Sequence, residues 1–182
     1  MKAKRYPKGL TLIELMVALA VLATLLFLAA PSISQYLEDR KVRNVAESFF
    51  YGMQKARLHA VRTNIQTQFA WSGTGWMVSR CDNGTTLETF DWARWSTISA
   101  VAVPSANTEV TFDGAGRVVF PEPPAIQPPD RFDVVSNRKS SRWTSSRSDS
   151  TPLRVVVDGG SGVRVCDPQL PSSDPKGCKV FP

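Results

Sequence analysis

Histidine is almost absent from this chain of 182 residues, which contains a single one, His59. A Ser-His-Asp triad, or a metal site built on several imidazoles, therefore lacks its usual parts. His59 lies between Arg57 and Arg62 and is interpreted as a surface or packing residue. The glycine-rich residues 73–75 and 159–162 precede no predicted helix, so they indicate turns rather than phosphate loops. We expect a chain that is not an enzyme and that holds no cofactor or metal.

Acidic residues are fewer than basic ones, but the excess of positive charge lies mostly at one end. The chain has 22 Lys and Arg against 16 Asp and Glu, a formal charge of +6. Four of the basic residues, Lys2, Lys4, Arg5 and Lys8, precede residue 9. Without these four, 18 basic residues stand against 16 acidic ones and the net charge is +2. The overall charge is therefore weak evidence for a nucleic-acid partner.

One long apolar run stands near the start of the chain. Every residue from 10 to 30 is apolar except Thr11, Glu14 and Thr24. About 20 apolar residues are enough for a helix to cross a bilayer, so the run predicts a membrane-spanning helix. An ionisable side chain inside such a helix costs a few kcal/mol unless it has a partner. Glu14 is therefore a candidate functional residue.

Two simpler interpretations of the run stay open. A secretory signal peptide would be cleaved near Ala29 and Ala30, but the run exceeds the roughly 7 to 15 residues of a typical h-region and contains an acid. A plain transmembrane anchor would leave Glu14 unexplained. In a spanning helix, the basic residues ahead of it hold the amino terminus in the cytoplasm, so the residues after Pro31 lie on the outer, oxidising side. Three cysteines there allow one disulfide with three possible pairings.

Lys8 and Gly9, followed by Leu-Thr-Leu-Ile-Glu-Leu at residues 10–15, resemble the processing site of type IV prepilins and type II secretion pseudopilins. The resemblance implies that a prepilin peptidase cuts after Gly9 and that Leu10 becomes the N-methylated first residue. It also implies that Glu14 pairs with a terminal amine during filament assembly. Leu10 departs from the phenylalanine that is usual at this position. The implied segments are a leader (residues 1–9), a transmembrane and filament-core helix (residues 10–31), and a continuing amphipathic helix with a β-rich head (residues 32–182).

Apolar residues recur at three- and four-residue steps beyond the run, which predicts one helix over residues 11–63 with a candidate bend at Pro31. The charged residues between them, Glu38 included, are assigned to the solvent-exposed face. Phe49 and Phe50 are assigned to the core. The predicted buried stripe consists of Ile33, Leu37, Val42, Val45, Phe49, Met53, Ala56 and Ala60.

After residue 64 the hydrophobic period changes to two, which is the repeat of a β-strand. Three hairpins are predicted, pairing residues 66–71 with 76–81, residues 109–112 with 117–120, and residues 153–157 with 163–166. A helix followed by antiparallel hairpins predicts an α+β fold in which the sheet covers the helix. The proline-rich residues 121–130 indicate an extended connector. Trp92 and Trp95 are assigned to the core, with a sticky surface around Arg94 as the alternative.

Several short segments, in this order, are similar to the GspH/FimT branch of the pilins. They are residues 56–64, the hairpin ending in Gly75 and Trp76, residues 112–117 and residues 163–168, and the similarity extends from Gly9 to Cys178. The resemblance implies a type IV pilin-like fold, with a long helix packed on an antiparallel β-sheet head. It implies a minor pilin of a type IV pilus, placed in the filament or its tip-priming complex, or a minor pseudopilin of a type II secretion system.

The same resemblance implies partners and a location. The partners are other major and minor pilins or pseudopilins, the prepilin peptidase and the inner membrane. The chain would cross the bacterial inner membrane once, with a periplasmic head, and then enter the pilus filament at the cell surface. Similar C-terminal loops in pilins favour a disulfide between Cys166 and Cys178, which would fasten the C-terminus. Cys81 would then be buried or free.

The branch also contains pilins that bind DNA through a Gly-Arg-x-Arg motif ahead of the last cysteines. The matching residues here are Ser-Gly-Val-Arg at 161–164, so only Arg164 corresponds. The neighbouring sequence is basic, and flexible cations suffice for phosphate contacts, with Trp143 able to stack on a base. The candidate contacts to double-stranded DNA are Arg138, Lys139, Arg142, Arg154 and Arg164. The alternative is a solvated Ser/Arg loop over residues 137–151.

Overall fold

A computed structural model describes residues 11–103, 107–119, 130–136, 151–158 and 162–178 of the chain, without the side chains of residues 27–32 and 35. The chain divides into two units, Met1–Tyr36 and Leu37–Pro182. The elements are one helix, α1 (Leu12–Thr63), and the strands β1 (Thr67–Trp71), β2 (Gly75–Arg80), β3 (Thr86–Asp91), β4 (Ile98–Val103), β5 (Glu109–Phe112), β6 (Arg131–Ser136), β7 (Leu153–Val157) and β8 (Val163–Cys166).

Helix α1 has the predicted length. It begins after Thr11, whose side-chain oxygen accepts a hydrogen bond from the Glu14 amide at 3.3 Å, the bond expected of an N-cap. It ends before Asn64, which adopts a φ of 54°. Asparagine tolerates this left-handed conformation better than most residues, so it suits the end of a helix.

In the first unit, the side chains of α1 up to Leu26 are exposed. Leu12 is 76% exposed and Ile13 70%, and the larger apolar residues from Leu15 to Leu26 are also more than half exposed. Among the residues that the structure describes, no helix is long and apolar enough to cross a membrane.

In the second unit, the strands form two antiparallel four-stranded sheets. The first sheet has the order β3-β2-β1-β5 and the second the order β4-β6-β7-β8. The predicted hairpins β1–β2 and β7–β8 are confirmed, with Trp71 opposite Trp76 and Val157 opposite Val163. Their short, glycine-containing connections explain why local sequence was sufficient to find them.

Three strands were missed and one predicted strand is reduced. The missed strands are β3, β4 and β6. The predicted partner of β5 at residues 117–120 forms only one bridge among the described residues, between Phe112 and Val118, and β5 pairs instead with β1. Asp113 explains the difference, since its carboxylate accepts hydrogen bonds from the amides of Ala115 and Arg117 and thereby makes a tight turn in place of a ladder.

Phe49 of α1 lies where the helix and both sheets meet. Its ring centroid is 5.6 Å from that of Phe69 on β1, 5.0 Å from that of Phe132 on β6 and 5.4 Å from that of Trp92. All four rings are fully buried. The core assignments of Phe49 and Trp92 are thus confirmed, and Phe50 and Trp95 are partly buried against the same core.

The predicted helix stripe needs a correction at its start. Val42, Val45, Phe49, Met53, Ala56 and Ala60 are buried, but Ile33 and Leu37 are more than half exposed and Glu38 is 1% exposed. Glu38 is four residues before Val42, so it continues the three- and four-residue spacing of the stripe, whereas Leu37 does not. The prediction failed because it assigned the residue by charge rather than by spacing.

Candidate functional site

The sites predicted from the sequence differ in how far the structure describes them. Gly9 and Leu10, and the basic residues Arg138, Lys139 and Arg142, lie outside the described residues. Glu14 lies in the first turn of α1 and is exposed. The remaining candidates, Arg154, Arg164, Cys166 and Cys178, all lie in or next to β7 and β8.

Glu38 is a buried carboxylate that the sequence analysis did not identify as a site. Its Oε1 accepts a hydrogen bond from Lys41 Nζ at 2.7 Å. Its Oε2 accepts from Thr97 Oγ1 at 2.9 Å and from Ser136 Oγ at 3.2 Å. These donors come from the helix, from the turn before β4 and from the end of β6. The carboxylate therefore links α1 to the second sheet.

Burial of the Glu38 carboxylate raises its pKa, but the hydrogen bonds from Lys41, Thr97 and Ser136, together with the charge of Lys41, outweigh burial. The net effect holds the pKa of Glu38 below its ordinary value. The group is thus an ionised carboxylate at neutral pH, and its negative charge contributes to attaching the helix to the sheet.

The next residue, Asp39, makes a second connection. Its Oδ1 accepts a hydrogen bond from the Thr151 amide at 2.8 Å. Thr151 and Ser136 stand on either side of residues 137–150, the basic segment predicted to contact DNA. Two adjacent carboxylates on α1 therefore hold the two ends of that segment, and we call this pair of contacts the Glu38–Asp39 clamp.

Arginine side chains occupy the outer face of the second sheet. Phe132, Val134, Val155 and Val157 are buried, so Arg131 and Asp133 on β6 and Arg154 on β7 lie on the opposite face. Arg131 stands opposite Val156, which stands opposite Arg164 on β8. Two neighbouring strands are about 4.8 Å apart, so these two arginines lie about 10 Å apart in one row across the sheet.

Arg154 is engaged with a carboxylate. Its Nε lies 2.6 Å from Asp133 Oδ1 and its Nη2 lies 3.1 Å from Asp133 Oδ2, a bidentate pair between β7 and β6. The hydrogen bonds to Asp133 raise the pKa of Arg154. Burial lowers this pKa, but the charges of Asp133 and Asp130 add to the increase, so the net pKa is raised. Of the predicted DNA contacts, the described residues Arg154 and Arg164 therefore lie near each other on one face, but the charge of Arg154 is neutralised by Asp133.

The C-terminal loop is closed as expected. Cys166 and Cys178 form a disulfide across 12 positions, and the Asp167 amide donates to the Lys176 carbonyl at 2.8 Å inside the loop. Gly177 is required there, because a Cβ on it would lie 2.2 Å from the Pro171 carbonyl oxygen. Cys81 is exposed and not disulfide-bonded. Burial, followed by the charges of Asp82 and Glu109, raises the pKa of its thiol.

His59, interpreted from the sequence as a surface or packing residue, contacts the start of β1. The ring is half-buried in α1, and its Nδ1 lies 3.1 Å from Thr67 Oγ1 at the start of β1. Within the described part of the chain, no group of three or more His, Cys, Asp or Glu side chains is placed to hold a metal ion.

Two family profiles match the chain in succession. The prokaryotic N-terminal methylation motif matches residues 4–30, and the type II transport protein GspH family matches residues 45–162. The second match covers more than half of the chain and includes α1 from Val45 onward as well as strands β1 to β7. The chain belongs to the GspH family.

Solved structures show a similar fold. A crystal structure of the type IV minor pilin FimU of Pseudomonas aeruginosa is 20% identical, covers 79% of this chain and 98% of its own, and has a TM-score of 0.53. A second crystal form of FimU is 19% identical, covers 75% of this chain and 98% of its own, and has a TM-score of 0.49. No curated protein matches the chain significantly.

Family and fold agree with the prediction of a GspH/FimT-type minor pilin. The GspH-family chain has a long N-terminal helix, an antiparallel β-sheet head and a C-terminal disulfide, which together make a type IV pilin fold. Both family and fold are those of structural pilins, which assemble with other pilins or pseudopilins. The methylation motif points to membrane anchoring and association with a pilus.

Proposed function

We propose that this protein is a minor subunit of a type IV pilus, built into the filament or the complex that primes its tip. The observation that carries the proposal is the presence of a methylation motif and a GspH-family head in one chain, joined by one helix, Leu12–Thr63. A prepilin peptidase would remove residues 1–9 after Gly9, and Leu10 would be N-methylated. Residues 10–31 would then span the inner membrane and later enter the filament, with residues 32–182 displayed as the head.

The exposed apolar half of α1 supports this role. Leucine, isoleucine and valine side chains between Leu12 and Leu26 are more than half exposed within the chain. Burying such a side chain contributes about 1.5–3 kcal/mol, so a row of them in water is unfavourable. Lipid chains before assembly and neighbouring helices after assembly would both cover them.

Glu14 supplies specificity to that packing. Its carboxylate lies in a run that we place in the bilayer, where an unpaired charge costs a few kcal/mol. We propose that it pairs with the terminal amine of a neighbouring subunit, which fixes the register between the two helices. The apolar contacts alone would tolerate sliding, since one apolar turn resembles the next.

The test compares Glu14→Ala with Thr24→Ala, a change at another polar position of the same run. Both variants are expected to reach the inner membrane, measured by membrane fractionation, and to lose the leader, measured by mass spectrometry. Only Glu14→Ala is expected to be missing from sheared filaments. Recovery of Glu14→Ala in filaments at the wild-type level would refute the proposed pairing.

A second candidate is a minor pseudopilin of a type II secretion system. The observation that favours it is the description of the matching family, which names a type II transport protein. Deleting the gene distinguishes the two. Loss of surface pili with normal secretion supports the pilus subunit, whereas loss of secreted enzymes with normal pili supports the pseudopilin.

A third candidate is a pilin whose main task is DNA capture for transformation. The row of Arg131 and Arg164 on the second sheet favours it, while the pairing of Arg154 with Asp133 reduces the available charge. If phosphate contacts dominate, the affinity of the detergent-solubilised chain for duplex DNA should fall steeply as salt increases. Arg164→Ala, and a variant with Arg138, Lys139 and Arg142 neutralised, should both weaken binding. An affinity that is independent of salt, or no binding at low salt, would refute DNA capture and support only the structural role.

A further inference from the structure

One sheet edge of the head is exposed along its middle. Among the described residues, β3 and β5 are the edge strands of the first sheet, and β4 and β8 are those of the second. The free side of β5 is met by the segment after it, since the Val119 N–H donates to the Thr111 carbonyl at 2.8 Å. The edges of β4 and β8 are covered at three buried residues, Ala100, Ala102 and Val163. Thr89, in the middle of β3, is exposed, so this edge is accessible to another strand.

The backbone groups of Thr89 point toward that open edge. The Trp92 N–H donates to the Thr74 carbonyl at 2.9 Å, so these two residues form a hydrogen-bonded pair at the end of the β2–β3 ladder. Hydrogen-bonded and non-hydrogen-bonded pairs alternate along an antiparallel ladder. Thr89 is three residues before Trp92 and stands opposite Met77, so it occupies a non-hydrogen-bonded position. Its N–H and C=O groups therefore point away from β2 and are free to pair with an added strand.

A cavity of about 480 Å³ lies beside this edge, between β3, α1 and the turn before β4. Glu88 pairs with Lys55 of α1, so the side chains of Glu88 and Phe90 face the helix, because alternate residues of a strand share a face. The accessible part of the lining includes Tyr51, which is 67% exposed, and the half-buried Phe90 and Trp95. We call the cavity and the adjoining edge of β3 the β3 groove.

The lining of the β3 groove has a surplus of negative charge. Its ionisable side chains are the carboxylates of Glu47 and Glu88 and the ammonium group of Lys55, which leaves a net charge of −1. Arg43 lies 3.9 Å from Glu47 but is not part of the lining. A partner with a basic side chain complements this charge, whereas an acidic one is repelled.

The order of residues in β3 sets the spacing that a partner strand needs. Side chains that lie directly opposite each other on one face of a sheet interact most strongly. The residue opposite Glu88 should be basic, and the residue opposite Phe90 should be aromatic or large and apolar. Since Glu88 and Phe90 are two positions apart, the two partner residues must also be two positions apart.

We propose that the β3 groove binds an extended segment of another pilin subunit, which joins the four-stranded first sheet as a fifth strand. Its backbone pairs with Thr89, and its basic and aromatic side chains lie against Glu88 and Phe90. This is the β-addition mode of peptide recognition, in which backbone bonds give affinity and alternate side chains give specificity. That the partner is a pilin rests on the proposed filament role. The surface itself goes beyond that role, because the helix contacts proposed above do not use a sheet edge.

The first test measures peptide binding to the full chain in detergent by fluorescence anisotropy, with empty micelles as the blank. The probe is fluorescein-labelled Ser-Thr-Lys-Thr-Phe-Thr-Ser, together with its reversed sequence, because a strand can be added in either direction. We expect saturable binding of one of the two. Moving the phenylalanine next to the lysine sends one side chain to the opposite face and should weaken binding about tenfold. Glutamate in place of lysine should weaken it about fivefold. No binding, or equal binding of all these sequences, would overturn the proposal.

The backbone contact has its own variant. Thr89→Pro removes the outward N–H but no hydrogen bond of the β2–β3 ladder, the one arrangement in which a strand tolerates proline. It should weaken peptide binding about tenfold, while the matched control Thr89→Val keeps the N–H and should change binding less than twofold. Circular dichroism checks that both variants fold. If Thr89→Pro does not fold, Glu88→Gln decides, since it should reduce the preference for lysine over glutamate at least twofold. An unchanged preference would contradict the assigned contact.

The second test identifies the partner in sheared filaments. A photoreactive maleimide is attached to Thr89→Cys in a Cys81→Ser background, and Ala115→Cys, in the exposed turn after β5 at the opposite edge, is the control. Only Thr89→Cys should give a cross-linked peptide from a different pilin, with a basic residue two positions from an aromatic or large apolar one. A chain that is missing from filaments refutes the filament role and the pilin partner together. A chain that is present but cross-links to nothing, to its own copies or to a segment without this spacing refutes the strand addition alone.

Discussion

Two glutamates on one helix meet opposite surroundings. Glu14 lies in the first unit, exposed among apolar side chains that are also exposed. Glu38 lies in the second unit, 1% exposed, with Lys41, Thr97 and Ser136 as hydrogen-bond donors. Within the described residues, the partners of Glu38 come from its own chain, whereas we propose that those of Glu14 come from another subunit. The comparison separates a carboxylate used for folding from one used for assembly.

The largest expected difference between the two regions is in how far truncating an apolar side chain lowers the free energy of unfolding. Phe49→Ala should lower the free energy of unfolding of the head by about 3–5 kcal/mol, because Phe49 contacts the rings of Phe69, Trp92 and Phe132. Leu22→Ala, at an exposed position of the first unit, should leave that free energy unchanged. Urea unfolding followed by tryptophan fluorescence measures both, and equal losses would show that the two regions fold as one.

Removing the buried carboxylate should have the next largest effect. Glu38→Ala removes the acceptor used by the buried Ser136 hydroxyl and the half-buried Thr97 hydroxyl, which should cost about 2–4 kcal/mol. Glu14→Ala should cost nothing in the same unfolding experiment. A variant at the exposed residue Glu47 controls for the loss of a helix charge, and a Glu38→Ala chain as stable as wild type would contradict the structural role of Glu38.

Opening the C-terminal disulfide tests how far the stability of the head depends on a covalent link. Replacing both Cys166 and Cys178 with serine should destabilise the head by about 2–3 kcal/mol, since the bridge closes a short loop. Cys81→Ser should have no effect, because that thiol is not in a disulfide. Unfolding with and without reductant provides the measurement, and a wild-type unfolding midpoint that reductant leaves unchanged would contradict the contribution of the bridge.

The smallest effect is on the pH dependence of stability. The pKa of Glu38 is below its ordinary value in the folded state, so its stabilisation is present at neutral pH and is lost as the pH falls through the folded pKa. The stability difference between wild type and Glu38→Gln should therefore shrink below the ordinary glutamate value of about 4.3. Comparing the two unfolding midpoints from pH 7 to pH 3 shows this, and a difference that grows as the pH falls would reverse the assigned sign.

Local patterns predicted the parts of the fold that depend on neighbours in sequence. The helix limits and the two confirmed hairpins depend on residues a few positions apart. Strands β4 and β6 pair with each other across residues 104–130, so no short turn marks their contact. Strand β6 does alternate, with Phe132 and Val134 buried and Arg131 and Asp133 on the other face, and that signal was available.

The site residues divide in the same way. The methylation motif is a contiguous signal, and a family profile confirms it at residues 4–30. The Glu38 contacts with Thr97 and Ser136 join residues 59 and 98 positions apart. Such groupings depend on tertiary structure, and only the spacing of Glu38 from Val42 hinted at its burial.

The Glu38–Asp39 clamp has a consequence for the evolution of the family. It fixes Ser136, at the end of β6, and Thr151, just before β7, to neighbouring positions on α1. The positions of β6 and β7 therefore do not depend on the residues that connect them. Loop-closure entropy grows slowly with length, and doubling a loop costs only about 0.6 kcal/mol. Insertions, deletions and changes of charge between residues 136 and 151 should therefore be tolerated by the head. This makes the segment a place where selection can vary what a subunit recognises while the scaffold is inherited unchanged.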